Sequence, residues 1–140
     1  MEKAPLKGSC LCGAVRYELS APPVWAHVCH CSRCRKATGS AFAPNLFVPL
    51  DALRFTQGEE HLRAFQPPDA ERFVHRFCAI CGGPLPSLNP GHGNVVVPMG
   101  SLDDDPGLSP QAHIWVASRA DWDAISDDLP QHPEALGSGD

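Results

Sequence analysis

The chain lacks any run of about 18 apolar residues, the length a membrane-spanning helix requires. Its first ten residues, MEKAPLKGSC, also lack the apolar stretch of roughly 7–15 residues found in a secretory leader. Both absences lead to the expectation of a cytoplasmic protein with no membrane partner. Excess positive charge is missing too: 11 Lys and Arg stand against 16 Asp and Glu, for a formal net charge of -5. With only one tyrosine and three tryptophans as well, the basic, aromatic footprint of a nucleic-acid binder is absent, and no such partner is expected. Internal repeats and signs of a second domain are also lacking. A chain of 140 residues can bury roughly two thirds of its unfolded surface, so it needs no metal merely to possess a core.

What the chain does have is sulfur. Seven cysteines in a reducing compartment are a poor disulfide framework, and an odd number leaves one unpaired even under oxidising conditions. They fall into three groups. Cys10 and Cys12 form a CxC pair in SCLCGAV, Cys29, Cys31 and Cys34 a CxCxxC trio in CHCSRC, and Cys78 and Cys81 a CxxC pair in FCAICGG. A structural zinc takes four ligands in a closed tetrahedron, usually as two short pairs from separate parts of the chain. Each outer pair is followed by a glycine, Gly13 and Gly82, as expected where backbone curls beneath a metal with its amides aimed at sulfur. Cys10, Cys12, Cys78 and Cys81 are therefore expected to share one structural zinc. A thioredoxin-like redox role for the CxxC pair would need a βαβ setting that the sequence does not offer.

Cys29, Cys31 and Cys34 remain. Three thiolates on one metal, with the fourth position left for water or substrate, is the arrangement of a catalytic zinc. Two other readings stay open: His27 or His30 closes the tetrahedron, or the trio holds no metal. His30 lies between two of the cysteines and points away from both in an extended segment, which makes it a better neighbour than ligand. Arg33, Arg35 and Lys36 form either a positive edge that attracts a carboxylate-bearing thiol or a solvated helix face.

The remaining pattern is mainly β. AVRYELS (14–20) alternates Val15, Tyr17 and Leu19 against Arg16 and Glu18, the period of a half-buried strand. VWAHVCH (24–30), FAPNLFV (42–48), LRFT (53–56), HLRAF (61–65), RFVHRF (72–77), NVVVP (94–98) and HIWVA (113–117) read as further strands. A serine-capped helical turn is expected from Ser32 to a stop at Gly39. In RFVHRF, Phe73, His75 and Phe77 share one face, with His75 either a core residue or a proton donor. PLPSLNPGHGN (84–94) reads as a loop with His92 exposed, the DDD of SLDDDPG as a turn, and 118–131 as a capped helical turn with Trp122 and Ile125 packed on the sheets. The domain is expected over 1–130, with 131–140 a disordered tail.

GSCLCGAV, CHCSRCR followed by GSAF, FCAICGG, and GSLDDDPG with HIWVASRADW occur in the order and spacing of a known family. The chain resembles, over about residues 6–130, the glutathione-dependent formaldehyde-activating enzymes (GFA-like). All seven cysteines fall on family motif positions. The resemblance implies a single-domain, zinc-stabilised Mss-four-like fold of packed antiparallel sheets. It also implies a structural zinc on Cys10, Cys12, Cys78 and Cys81, and a catalytic zinc on Cys29, Cys31 and Cys34. The implied activity is that of a carbon-sulfur lyase, adding a thiol such as glutathione to formaldehyde or a related small aldehyde in the manner of an S-hydroxymethylglutathione synthase, or running the reverse. His30, His27 and water are all candidates for the general acid. The competing readings are a zinc-stabilised protein-binding module without catalysis and a thiol redox sensor. Occupancy of the second zinc site and formation of a homodimer are left open.

Overall fold

The computed structural model describes residues 5–89 and 93–138. Eleven strands and one short α-helix are present among them, in three small sheets. The first sheet pairs β1 (Leu6–Ser9), β2 (Arg16–Leu19) and β5 (Leu53–Gln57) in antiparallel order β1-β2-β5. The second is the largest. It contains β3 (Trp25–Cys29), β4 (Ala43–Pro49), β9 (Ser87–Asn89), β10 (Asn94–Pro98) and β11 (His113–Ile114), in the order β11-β3-β4-β10-β9. The third joins β6 (Leu62–Phe65), β7 (His75–Cys78) and β8 (Pro84–Leu85). The mainly β, single-domain architecture expected from the sequence is the one observed.

One face of the second sheet meets the first sheet to form the core. Leu46 and Val48 of β4 and Val95 and Val97 of β10 are fully buried there against Val15, Tyr17 and Leu19. The period of two then dictates that their alternates, Asn45 and Phe47 on β4 and Asn94 and Val96 on β10, stand on the opposite face. That opposite face carries the cleft described below. Tyr17 is the largest side chain in the core, and its ring lies where Gly8 on β1 has no side chain; a β-carbon there would run into it. Its hydroxyl reaches Ser101 Oγ at 2.6 Å, and Ser101 donates its own proton to the Pro98 carbonyl at 2.7 Å. The tyrosine must therefore be the donor, a polar end satisfied inside an apolar neighbourhood.

Several elements depart from the sequence reading, each for a visible reason. The helix α1 (Ser32–Thr38) ends before Gly39 as expected, but its N-cap is Cys31, whose sulfur accepts the Cys34 amide at 3.3 Å, and not a serine. The strand read at 72–77 starts only at His75. Its partner β6 ends at Phe65, and Pro67 and Pro68, which lack amide protons, follow after Gln66. The stretch 84–94 is not all loop: Pro84–Leu85 pairs with β7, and Ser87–Asn89 pairs with β10, so the chain changes sheets at Pro86. His92 lies outside the described residues. HIWVA shortens to the two residues of β11, because Trp115 adopts a left-handed backbone (φ 57) and a 3-10 turn follows at Val116–Ser118.

Residues 118–131 contain no α-helix, and Trp122 is 75% exposed, contrary to the packed position expected for it. The segment 131–138 is not a free tail either. It folds back beside β11, where Trp115 donates to the Glu134 carbonyl (2.8 Å), Val116 to His132 (3.1 Å) and Ala117 to Pro133 (3.0 Å). The free edge of β11 itself is covered by His113, whose amide donates to the Pro130 carbonyl (2.8 Å) and whose carbonyl accepts the His132 amide (2.9 Å).

Substituting Gly8→Ala forces the Tyr17 ring from its position and is expected to cost about 1–3 kcal/mol, while Tyr17→Phe should cost about 1 kcal/mol. Urea unfolding of the metal-replete protein measures both; an unchanged midpoint for Gly8→Ala would remove the packing role assigned to this contact.

Candidate metal centres and the cleft between them

The first sulfur cluster arises at two tight turns. After Cys10 the chain reverses through Gly13 (φ 78), whose amide donates to the Cys10 carbonyl at 3.0 Å; after Cys78 it reverses through Gly82 (φ 75), bonded to the Cys78 carbonyl at 2.8 Å. Both turns need a left-handed residue, which is why a glycine stands at each. They bring Cys10, Cys12, Cys78 and Cys81 together with all sulfurs within 4.8 Å of one another. Cys10 and Cys12 are 3.7 Å apart, and Cys12 and Cys78 are 3.9 Å apart. A tetrahedron with metal-sulfur bonds of about 2.3 Å has edges of about 3.8 Å, so the four positions fit a zinc-sized thiophilic ion. Backbone amides aim at the sulfurs as the charge of thiolates demands: Val15 to Cys10 at 3.4 Å, Ile80 to Cys78 at 3.3 Å and Gly83 to Cys81 at 3.4 Å. Cys10 and Cys78 also belong to the buried core, so the cluster is part of the packing between the first and third sheets.

The second cluster sits where β3 passes into α1. Cys29 is the last residue of β3, Cys31 caps the helix, and Cys34 lies one turn inside it, with the three sulfurs again mutually within 4.8 Å. The backbone here is held on both sides. β4 pairs Ala43 with Cys29, and β11 runs parallel on the other edge, where the Ile114 carbonyl accepts the His30 amide at 3.0 Å. Among the three thiols the protons are unevenly shared. Hydrogen bonds from Cys29 and then Cys34, together with backbone amides, draw the Cys31 thiol far down to about 2, whereas the Cys29 thiol, hydrogen bonded to Cys31, is pushed up to about 12. A thiophilic cation would replace the remaining protons.

No fourth protein ligand joins this trio among the described residues. All three cysteines instead line a cleft of about 1400 Å³. Its floor is the outer face of the second sheet, with Trp25, His27 and Cys29 in line along β3 and Asn45 and Phe47 beside them on β4. Its walls are α1, the segment 69–76 and Trp115, with Ala135 and Leu136 of the folded-back C-terminal segment at one side. The left-handed Trp115 is held by the bonds to residues 132–134 and packs against the buried cluster of Cys29, Cys34, Ala43 and Ile114.

The two histidines near the trio part company. His27 faces the cleft. It is 9% exposed, its ring lies edge-on to Phe47 at 4.9 Å, and burial lowers its pKa to about 4. His30 faces the other way, as the alternation predicts, and is 1% exposed beneath the trio. Its Nε2 lies 2.9 Å from His113 Nδ1, and His113 Nε2 is 3.0 Å from the Asp127 carboxylate. A carboxylate accepts, so His113 donates from Nε2, and its Nδ1 in turn accepts from His30. His30 thus serves as a structural strut and is outside the cleft, which removes it as a candidate acid there.

Of the cations singled out in the sequence, Arg33 lines the cleft and pairs with Asp69 at 3.4 Å, joining helix to wall. Arg35 and Lys36 are not among the lining residues. Arg72 and Arg76 are, and sequence reasoning missed them. Alternation offered no signal for them, because residues 72–74 precede β7 and Phe73 and His75 line the cleft as well. His75 stacks on Phe77 at 5.2 Å and is partly buried at the cleft margin.

Because Cys78 is a core residue as well as a candidate ligand, Cys78→Ser is expected to abolish the cooperative fold, seen as loss of the native β circular-dichroism signal and of bound metal. A folded, metal-replete Cys78→Ser protein would show that the cluster does not hold the sheets together.

Comparison with known proteins accords with this geometry. The family model described as glutathione-dependent formaldehyde-activating enzyme matches residues 5–118. A Halomonas elongata protein named "Putative glutathione-dependent formaldehyde-activating enzyme" is 35% identical over 127 residues, covering 84% of this chain and 78% of that protein. A Rhodobacter sphaeroides protein of known crystal structure superposes with a TM-score of 0.57 at 30% identity, over 74% of this chain and 97% of that one. With both cysteine clusters inside the matched span, the chain belongs to the glutathione-dependent formaldehyde-activating enzyme family.

Proposed function

We propose that the protein is a zinc-dependent carbon-sulfur lyase that adds a thiol such as glutathione to formaldehyde or a related small aldehyde. In this reading Cys10, Cys12, Cys78 and Cys81 hold a structural zinc, and Cys29, Cys31 and Cys34 hold a catalytic one. One observation carries it: a closed set of four sulfurs lies at a sheet junction, while a separate set of three opens onto a cleft. The donor sets differ as structural and catalytic sites differ, and the family membership and the name of the Halomonas relative supply the substrate class.

When bound by the trio, zinc supplies a Lewis acid that favours the thiolate over the thiol at neutral pH. The chain's own residues do the rest. Cys29, Cys31 and Cys34 leave one direction free, toward the cleft, so an incoming thiol is held on that side. Arg33 and Arg72 line the cleft and provide charge for the carboxylates of a glutathione-like thiol, while the Arg76 guanidinium is taken up by the Phe55 ring and the Pro86 carbonyl; the volume exceeds the several hundred Å³ typical of small-ligand sites, enough for a tripeptide with an aldehyde beside it. Phe47, Phe73 and Trp115 give the reacting end an apolar surround, which strengthens polar interactions with the carbonyl. Seven reduced thiols suit a reducing compartment, in keeping with the cytoplasm.

The test combines native mass spectrometry with an exchange assay that follows formation of the thiol-formaldehyde adduct above its spontaneous rate. Two zinc ions per chain and accelerated adduct exchange are expected. Cys31→Ser should keep its fold and one zinc while losing the acceleration. A wild-type protein that binds two zincs yet adds nothing to the spontaneous rate with any small aldehyde would exclude the lyase reading, and full turnover in Cys31→Ser would exclude the trio.

A further inference from the structure

The chemistry of thiol addition leaves one requirement that no cysteine meets. As the sulfur pair forms the new C–S bond, the carbonyl π pair moves onto oxygen, and that oxygen needs a hydrogen-bond donor where its charge develops. The donor must face the cleft on the side of the trio and must carry its proton in a fixed place.

Trp25, His27 and Cys29 occupy successive same-face positions of β3, and all three line the cleft. Same-face neighbours on a strand stand about 7 Å apart, which leaves room for a small carbonyl between the sulfur cluster and the imidazole. The indole Nε1 of Trp25 lies 3.0 Å from His27 Nδ1. An indole nitrogen can only donate, so His27 Nδ1 must be the acceptor and can carry no proton of its own. The ring proton is therefore on Nε2. Phe47, edge-on to the ring, and β4 behind it restrict the orientation further. His30, the other histidine of the segment, already spends its Nε2 proton on His113 and lies on the far side of the strand.

We infer that His27 is a catalytic residue whose Nε2–H donates a hydrogen bond to the aldehyde oxygen, with Trp25 fixing the tautomer that makes this possible. The inference rests on the lyase reading. His27 keeps its proton throughout: the thiol's proton passes to water, the C–S bond forms, the C=O π bond breaks, and the oxygen takes a proton back from water. Thiol plus aldehyde gives hemithioacetal with nothing left over. In the reverse direction the same bond stabilises the same oxyanion as the C–S bond breaks.

The experiment has two parts. Long-range proton-nitrogen NMR on the 15N-labelled zinc-loaded protein reads the His27 ring directly; a neutral ring protonated at Nε2 is expected, turning into a mixture of tautomers in Trp25→Phe. Adduct kinetics with glutathione and formaldehyde should then show kcat reduced about 100-fold to 1000-fold in His27→Leu at unchanged zinc content and unchanged thiol KM, with partial recovery in His27→Gln, whose amide can donate. A ring protonated at Nδ1, or a His27→Leu enzyme with undiminished kcat, overturns the assignment. Should His27→Leu fail to fold, Trp25→Phe decides, since a wild-type kcat there despite a scrambled tautomer also overturns it. Absence of turnover in the wild type would instead strike at the lyase reading, so the two failures are distinguishable.

Discussion

Four sulfurs at the seam between the first and third sheets set the frame of the molecule. Each sheet has only three short strands, too little on its own to bury a core, and the chain between the two knuckles runs through half the protein before it returns. Closing so long a loop is entropically unfavourable, though the cost rises only slowly with length. Cys10 and Cys78 offset it as apolar packing in the core, and as members of the four-sulfur cluster they are also candidate metal ligands. The sheet that carries the cleft then has a rigid body to rest on, and its inward residues, Leu46, Val48, Val95 and Val97, are matched against Val15, Tyr17 and Leu19.

From that packing the outward face of the second sheet follows, and with it the cleft. Because side chains alternate, burying Ala26 on β3 presents Trp25, His27 and Cys29 to the other side. The strand then turns into α1 so that Cys31 caps the helix and Cys34 completes the sulfur cluster one turn on. Beneath it the His30, His113 and Asp127 chain connects the loop to the C-terminal part of the protein. Segments remote in sequence therefore bear on the trio: β11 along one edge, Trp115 in its left-handed backbone, and the carbonyls of residues 132–134 that hold Trp115 and the turn after it in place. The division of labour between the clusters is one of exposure as much as of ligand number. One lies at a junction with core packing behind it, the other at the bottom of an open cleft.

The grouping of seven cysteines into two outer pairs and a central trio was legible in the sequence, since ligand spacing within a knuckle is local and each glycine turn announces itself. So were the strands at β2, β3, β4 and β10, of which β2, β4 and β10 bury alternate residues while β3 is buried on both faces, and the opposite orientation of His30 to its neighbours. What only the tertiary structure decided was everything that depends on partners: that β7 starts at His75 because β6 is short, that Pro84–Leu85 and Ser87–Asn89 join different sheets, and that Gln131 bridges β11 while residues 132–134 accept from the turn after it. It also decided that Arg72 and Arg76, and not Arg35 and Lys36, line the cleft, and that Trp25 rather than a carboxylate stands behind His27. The physical reason is common to all of these. Turn chemistry and alternation are written in neighbouring residues, whereas an exposed strand edge, a cleft wall or a histidine tautomer is set by groups that folding brings from far along the chain.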